Sequence, residues 1–231
     1  MISILMPIYN GIEFINESVN SIINQTHTDW ELIIGINGHP KDSYEYKMAM
    51  TYASDKITVL DLHTFKGKSN TLNHMLTFAK YDYIALLDVD DKWTYNKLMV
   101  QSQYIDKYDV VGTNFTYFGE SYGSPKVILG DLMNYNFIKG NPIGNSSVII
   151  RKDLCYWNPT WDCGLEDYDL WLRLNKLNKT FYNCHDILMH HRIHKKSTFN
   201  NTNNNHVPKL LAMYNTNNNN VPKLLAMYKK N

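Results

Sequence analysis

Three carboxylates follow directly on a short apolar run in the middle of the chain. Five apolar or aromatic residues, Tyr83 to Leu87, carry no charge and are followed by Asp88, Asp90 and Asp91. Such a run is typical of a central parallel strand, and ligands bind at the carboxyl ends of these strands. Asp88 and Asp90 can share Mg²⁺ or Mn²⁺, which prefers one or two carboxylates together with phosphate oxygens. The spacing favours a nucleotide diphosphate site; an acidic turn capping a helix over Thr94 to Asp106 is the alternative.

The elements that must position these carboxylates alternate between strands and helices. The predicted strands before them are Ile2 to Met6, Trp30 to Ile34 and Ile57 to Leu62, and the intervening helices cover Gly11 to Gln25, Ser43 to Ala53 and Leu72 to Ala79. After them we predict a helix over Leu98 to Ile105, strands over Val110 to Tyr117 and Ser147 to Arg151, a helix over Glu166 to Asn175 and a strand over Leu188 to His194. The repeating pattern predicts an α/β fold with a mainly parallel, doubly wound sheet.

Composition excludes several classes of protein. With 231 residues, of which 44% are hydrophobic, the chain is long enough for one α/β domain with a substantial core. Lys and Arg number 23 against 22 Asp and Glu, which gives a net charge of +1. Because this balance supplies no basic field, we expect no nucleic acid among the partners.

The cysteines and the lengths of the apolar runs indicate the cellular compartment in which we expect the protein. Cys155, Cys163 and Cys184 are odd in number and show no C-x-x-C spacing, which argues against a disulfide framework and is typical of a reducing compartment. No apolar run approaches the roughly 18 residues that a membrane helix needs. We therefore expect a cytoplasmic protein without a transmembrane segment, and we leave peripheral docking on a membrane open.

The last part of the chain contains a tandem repeat. Asn201 to Tyr214, NTNNNHVPKLLAMY, is followed by Asn215 to Tyr228, which differs only in having Asn220 in place of His206. Asn-rich runs bury too little surface to offset their conformational entropy. We therefore predict a folded domain over residues 1–199 and a disordered, low-complexity tail over residues 200–231. Each PKLLAMY segment can form a turn or two of amphipathic helix with Pro at its first position; the tail is either a docking segment or a drifting extension.

Four separated segments together resemble glycosyltransferase family 2. In chain order they are ISILMPIYNGIEFINESVNSIINQTHTDWELII, KGKSNTLNHML, YIALLDVDDKW with KLMVQ, and LEDYDLWLRL with HRIHKKS. The resemblance covers Ile2 to Thr198. It implies the GT-A fold, which is a Rossmann-like three-layer sandwich with a mainly parallel central sheet. It also implies an inverting glycosyltransferase of the hexosyltransferase type.

The resemblance assigns the donor pocket. Pro7, Ile8 and Tyr9 would cradle the base and ribose, although Tyr9 can equally be a cover for the sheet edge. Asn37 stands where the family usually has the Asp that binds uracil, so a UDP-sugar is the first choice and a purine or cytidine nucleotide stays open. Lys68 would contact the nucleotide near a helix start, and a solvated lysine is the alternative.

The resemblance also assigns the metal site. Within the Asp88-Val89-Asp90 segment, Asp88 would contact the ribose or the water shell of the metal, and Asp90 would bind the Mn²⁺ or Mg²⁺ that bridges the two phosphates. A Lewis acid stabilises the departing diphosphate without protonating it. His194, in an R-x-H segment, would complete the metal shell; an ordinary surface histidine is the alternative.

Two further carboxylates supply the other half of the implied mechanism. By resemblance, Asp167 is the general base that takes the proton of the acceptor hydroxyl, and Glu166 supports the site. Burial or a neighbouring carboxylate would raise the pKa of such a base usefully. Favourable charges at a helix start are the alternative interpretation.

The sequence therefore favours a metal-dependent inverting glycosyltransferase. It would move a sugar from a nucleotide-sugar donor to an acceptor hydroxyl of a glycan or glycoconjugate. The first alternative is a degenerate nucleotide- or glycan-binding module, which the departures at Asn37 and Asn145 leave open. The second is a nucleotidylyltransferase, which would normally carry a G-x-G-T-R loop where this chain has PIYNG after its first strand. Asn145 stands where the family frequently has His, and we assign it no catalytic role.

Overall fold

The structure, a computed structural model, describes residues 1–197 and 206–215. Its strands are β1 (Ile2–Ile8), β2 (Trp30–Asn37), β3 (Ile57–Leu62), β4 (Tyr83–Leu86), β5 (Lys92–Trp93), β6 (Val110–Gly119), β7 (Gly130–Asp131), β8 (Ile149–Arg151) and β9 (Phe181–Ile193). Its helices are α1 (Ile15–Ile23), α2 (Tyr44–Met50), α3 (Lys68–Leu76), α4 (Lys97–Gln101), α5 (Glu166–Lys176) and α6 (Val207–Tyr214).

The strands form one sheet in the order β3-β2-β1-β4-β8-β6-β9-β5, with β7 paired to β9. The first four strands in this order run parallel, so their carboxyl ends meet at one edge. β8 is antiparallel to both of its neighbours, β4 and β6, and β6 and β9 are again parallel. The predicted α/β class with a mainly parallel sheet is confirmed.

The sheet is buried on both faces, which makes the protein three-layered. Alternate residues of one strand point to opposite faces, and accordingly Leu5 of β1 belongs to the core cluster that includes α3, α5 and α6, whereas Ile4 belongs to the cluster that includes α1, α2 and α4. All eight residues of β2 are buried. This double burial explains why the central strands read as continuous apolar runs.

Two predicted boundaries differ from the structure. The helix predicted over Thr94 to Asp106 is limited to α4, where the Gln101 side chain donates hydrogen bonds to the carbonyls of Val111 (2.6 Å) and Ser147 (2.9 Å). The last strand begins at Phe181, seven residues before the predicted start, because β9 pairs with β6 along the whole length of β6. Tertiary pairing outweighs local polarity in β9, as expected for strands.

The structure describes only residues 206–215 of the tail predicted over residues 200–231. There α6 has Pro in its first turn, as the sequence predicts, and buries Leu210 and Tyr214 against the core. These residues pack rather than remain disordered because the two side chains add to an existing apolar cluster. The rest of the tail lies outside the described residues, and the predicted domain boundary and tail disorder stay predictions.

Candidate active site

A cavity of about 1150 Å³ lies at the carboxyl ends of β1, β2 and β4. The predicted site residues that line it are Pro7, Ile8, Tyr9, Asn37, Lys68, Asp88, Val89, Asp90, Glu166, Asp167 and His194. The structure thus brings every candidate to one cavity. It is large enough to hold a small-molecule ligand.

The turns after β1 and β2 form one end of the cavity. Tyr9 is 60% exposed, and its ring lies over Gly38, where a Cβ atom would come within 2.6 Å of the ring. Asn37 is buried, and its side-chain nitrogen donates to the Thr71 hydroxyl at 2.8 Å. The donor group of Asn37 is therefore committed to α3. Its amide oxygen is the group that can face a nucleobase.

The start of α3 places Lys68 in the cavity. Gly67 adopts φ +84°, and a Cβ atom there would lie 1.9 Å from Oδ2 of Asp162. The other oxygen of Asp162 accepts a hydrogen bond from the Ser69 N–H at 2.8 Å. Glycine is required at this position by both conformation and space. The close approach that it permits fixes the direction in which Lys68 leaves the helix.

Lys68 joins the two carboxylate groups of the cavity. Its Nζ lies 2.7 Å from Oδ1 of Asp88 and 3.5 Å from Oε1 of Glu166. Burial alone would lower the pKa of the Lys68 ammonium, but the charges of Asp88 and Glu166 outweigh burial and raise this pKa. Lys68 is therefore a fixed cation.

Asp88 is held from three directions. Besides Lys68, the Asn145 amide donates to Oδ2 of Asp88 at 3.0 Å, and the backbone N–H of Asp88 donates to the Ser146 hydroxyl at 3.1 Å. Burial would raise the pKa of Asp88, but Lys68 and Asn145 hold it below its ordinary value. Asp88 therefore stays ionised and oriented.

Asp90 lies beside His194. Its Oδ2 is 2.9 Å from Nε2 of His194, whose ring packs against Phe14 with ring centroids 5.0 Å apart. Burial, together with the charges of Asp91 and Asp88, raises the pKa of Asp90 to about 6. A half-buried carboxylate beside two others is suited to a cation.

Asp91 does not cap the following helix, whose N-cap is Asn96. It is buried and accepts hydrogen bonds from the Arg192 N–H at 2.9 Å and from Nδ1 of His191 at 3.2 Å. Both of these partners lie on β9, and α4 begins only six residues after Asp91, at Lys97. Asp91 fastens the turn after β4 to β9 and so fixes the direction of Asp90.

The residues around Asp90 fit a divalent cation in part. Among residues 1–197 and 206–215, no three His, Cys, Asp or Glu side chains converge as a ready metal-ligand group. The oxygens of Asp88 are taken by Lys68 and Asn145. This leaves Asp90 and His194 as a two-residue donor set. Such a set suits Mg²⁺ or Mn²⁺, which keep waters and take further ligands from phosphates.

Glu166 and Asp167 begin α5, and both line the cavity next to Lys68. The oxygens of Asp167 accept hydrogen bonds from the Asn141 amide at 3.0 Å and from the Tyr168 N–H at 2.6 Å. Burial and the negative charge of Glu166 raise the pKa of Asp167 to about 7. Burial also raises the pKa of Glu166, against the effect of Lys68. Asp167 thus has the proton affinity of a general base that works near neutral pH.

Several lining residues were not predicted as part of the site. Asn141 and Asn145 each donate to a key carboxylate, and His191 supports Asp91. The sequence marked only Asn145, which stands where the family frequently has His, and only the folded chain shows the partners of both asparagines. His191 carries no spacing signal, because its position depends on β9 pairing with β5 and β6. Three tryptophans, Trp157, Trp161 and Trp171, are buried in the core and do not line the cavity, so they offer no face to a sugar.

Comparison with known sequences identifies a family. The family described as Glycosyl transferase family 2 matches residues 3–153 of this chain. A curated relative is the Escherichia coli protein named UDP-Glc:alpha-D-GlcNAc-diphosphoundecaprenol beta-1,3-glucosyltransferase WfgD. The two sequences are 28% identical over 205 residues, which are 87% of this chain and 80% of the relative.

Solved structures match the fold. S. aureus TarS 1-349 in complex with UDP-GlcNAc has a TM-score of 0.71 at 18% identity, over 99% of this chain and 71% of that TarS chain. The mannosyltransferase PcManGT from Pyrobaculum calidifontis, in complex with GDP-Man and Mn²⁺, has a TM-score of 0.68 at 14% identity, over 99% of this chain and 68% of that chain. At these identities the likeness is one of fold, and it agrees with the predicted GT-A architecture. No helix among the residues described here is long and apolar enough to span a membrane.

Proposed function

The chain belongs to glycosyltransferase family 2 and is a glycosyltransferase, and we propose that it is a metal-dependent inverting enzyme that transfers a sugar from a UDP-sugar to a hydroxyl of a glycan or glycoconjugate. The observation that carries the proposal is the position of Lys68. Its ammonium lies between Asp88, at the donor side, and Glu166, beside the base candidate Asp167. The same cavity therefore contains a cation beside which a diphosphate can bind and, facing that place, the carboxylate of the base candidate Asp167.

The donor lies with its nucleoside at the ends of β1 and β2. Asp88, kept ionised by Lys68, accepts a hydrogen bond from the ribose through an oxygen lone pair that Lys68 and Asn145 leave free. The amide oxygen of Asn37 accepts the imide N–H of uracil. The name of the E. coli relative and the ligand of TarS support uridine; the GDP-Man ligand of PcManGT shows that other bases occur on this fold.

Asp90 and His194 are the residues that would hold a divalent cation. The cation supplies Lewis-acid stabilisation of the negative charge on the departing diphosphate. The Mn²⁺ in PcManGT supports such a metal. The fixed ammonium of Lys68 adds positive charge on the same side of the cavity, so that leaving-group stabilisation does not depend on a proton donor.

Asp167 acts on the acceptor. Its carboxylate takes the hydroxyl proton while the hydroxyl oxygen forms a bond to the anomeric carbon and the bond to the diphosphate breaks on the opposite face. Asn141 orients the carboxylate through its hydrogen bond. The rings of Tyr117 and Tyr135 line the cavity as well and offer faces for the acceptor sugar.

Donor binding tests this function without knowledge of the acceptor. We expect calorimetry against UDP-Glc, UDP-GlcNAc and GDP-Man to show binding of a UDP-sugar in the presence of Mn²⁺ and a loss of at least about tenfold in affinity when the metal is chelated. Preference for GDP-Man would overturn the uridine assignment. Folded protein that binds no nucleotide sugar would overturn the proposed function.

The acid side of the pH profile reports on Asp167. Because the base must be ionised and burial raises the pKa of Asp167 to about 7, we expect kcat/KM to rise with pH up to about 7. It should fall about tenfold for each pH unit below that value. The measurement is the initial rate of donor consumption at low donor concentration. If kcat/KM instead fell only below about pH 4, where an ordinary aspartate titrates, the assignment of Asp167 as the general base would be contradicted.

Lys68 is expected to set the position of this acid limb of the pH profile. Its charge lowers the pKa of Asp167, so the substitution Lys68→Met should shift the acid limb to higher pH and weaken donor binding. The Lys176→Met variant is the matched control, because Lys176 lies on the same helix as Asp167 but does not line the cavity. An unchanged limb in Lys68→Met would show that Lys68 does not act on the base electrostatically.

A further inference from the structure

Helix α6 is bound to α5 through a small polar and apolar surface. The Tyr214 hydroxyl donates to Oδ1 of Asp169 at 2.6 Å, and Leu210 and Tyr214 are both buried in the core cluster that contains α5. We call this surface, defined by Asp169 and the positions covered by Leu210 and Tyr214, the α5 seat. Val207 and Leu211 of the same helix line the large cavity. The occupant of the α5 seat is therefore also part of the cavity wall.

The α5 seat demands a specific occupant. Asp169 is fully buried, and its Oδ2 has no hydrogen-bond partner, with Nη1 of Arg173 3.9 Å away. The Tyr214 hydroxyl is the donor on Oδ1. A buried carboxylate that loses such a donor is strongly penalised. The seat therefore needs a hydroxyl at the position of Tyr214 and an apolar side chain one helical turn earlier, at that of Leu210.

The chain contains a second segment that meets these needs. The sequence VPKLLAMY of α6 recurs as Val221 to Tyr228, each residue fourteen positions after its counterpart, with Leu224 and Tyr228 in the places of Leu210 and Tyr214. The copies differ only at His206 and Asn220. His206 is exposed and makes no side-chain capping bond to α6. No side chain of the described α6 therefore distinguishes the two copies.

We propose that the second copy, Val221 to Tyr228, is an alternative occupant of the α5 seat. The connection from Ser197 to the first copy contains eight residues before His206, and the connection to the second copy contains 22 residues before Asn220. Loop-closure entropy scales with three-halves of the logarithm of loop length, so the first copy is favoured about fivefold. The two copies share one seat, and the cavity wall is kept when the first copy leaves.

Charge substitution in each copy tests the proposal. The chains compared are wild type, Leu210→Asp, Leu224→Asp and the double variant, each with the full tail, and the measurement is the folded-to-unfolded ratio from urea unfolding. An aspartate at either leucine prevents that copy from entering a buried position. We expect Leu224→Asp to lower the ratio less than twofold, Leu210→Asp about sixfold, and the double variant at least about thirtyfold.

The pattern of losses decides the outcome. A loss in Leu210→Asp equal to that of the double variant would overturn the proposal, as would a double variant as stable as wild type. Rescue of Leu210→Asp that increases with protein concentration would show that the second copy binds another molecule, which also contradicts exchange within one chain. If the double variant does not fold, the milder Tyr214→Phe and Tyr228→Phe series must give the same order. Because unfolding is measured without enzyme activity, this test does not depend on the proposed function.

Discussion

The Asp167→Asn enzyme is expected to bind donor with unchanged affinity and to turn it over about 10³-fold more slowly than wild type. Asparagine keeps the size of the side chain and can still accept the hydrogen bond from the Tyr168 N–H, but it cannot take a proton. Removal of a group that acts only as the acceptor is deprotonated lowers kcat and leaves ground-state binding intact. The measurements are single-turnover donor consumption and calorimetric donor affinity on the same preparation.

The matched control for Asp167→Asn is Asp153→Asn. Asp153 is an exposed carboxylate paired with Arg151 and does not line the cavity. We expect it to leave both kcat and donor affinity unchanged. The base assignment would be contradicted by an Asp167→Asn enzyme with turnover within about tenfold of wild type, or by one whose loss of turnover is matched by an equal loss of donor affinity.

The Asp90→Ala substitution is expected to remove metal-dependent donor binding. Loss of outer-shell partners of a metal site already costs about 10- to 100-fold in affinity, and loss of a direct ligand should cost at least as much. We therefore expect the Mn²⁺-dependent part of donor affinity to fall at least about a hundredfold. The measurement is calorimetric titration of donor with and without Mn²⁺, and equal metal dependence in the variant and wild type would exclude Asp90 as the ligand.

Stability separates this effect from misfolding. The pKa of Asp90 is about 6 in the folded protein, above its ordinary value of 3.8. A raised pKa means that this group favours folding only while it is protonated, and that contribution is lost as the pH rises through about 6. At pH 8 without metal, Asp90→Ala should therefore unfold at a temperature no lower than wild type. A lower unfolding temperature would show that Asp90 has a structural role.

The donor half of the site follows from local sequence. The apolar runs of β1, β2 and β4 are typical of strands buried on both faces, and carboxylates that follow such a strand must emerge at its carboxyl end. This places Asp88 and Asp90 at the edge where Tyr9 and Asn37 also end their strands. The sheet order β2-β1-β4 brings these turns side by side.

The acceptor half does not follow from local sequence. Glu166 lies 78 residues after Asp88, and its approach to Lys68 depends on β8 entering between β4 and β6 in the antiparallel sense. No periodicity predicts that arrangement; only the family resemblance indicated Asp167. The hydrogen bonds of Asn141 and Asn145 to the carboxylates likewise need the folded chain, since asparagine in a loop has many possible partners.

The packing of helix α6 against the core was not predicted from composition. An Asn-rich tail is typical of disorder, and low complexity conceals the two side chains that matter, Leu210 and Tyr214. Their burial includes the hydrogen bond from the Tyr214 hydroxyl to Oδ1 of Asp169, a buried carboxylate on α5. Such complementarity between distant segments is invisible in a single sequence.

Consumption of a UDP-sugar by the purified chain tests the central claim most directly. With Mn²⁺ present and water in place of the acceptor, the proposed mechanism predicts slow release of UDP from one donor of the panel. That release should stop when the metal is chelated and be absent in Asp167→Asn, which still binds the donor. Folded wild-type protein that binds a UDP-sugar but releases UDP equally fast without metal, or as fast in Asp167→Asn, would contradict the mechanism.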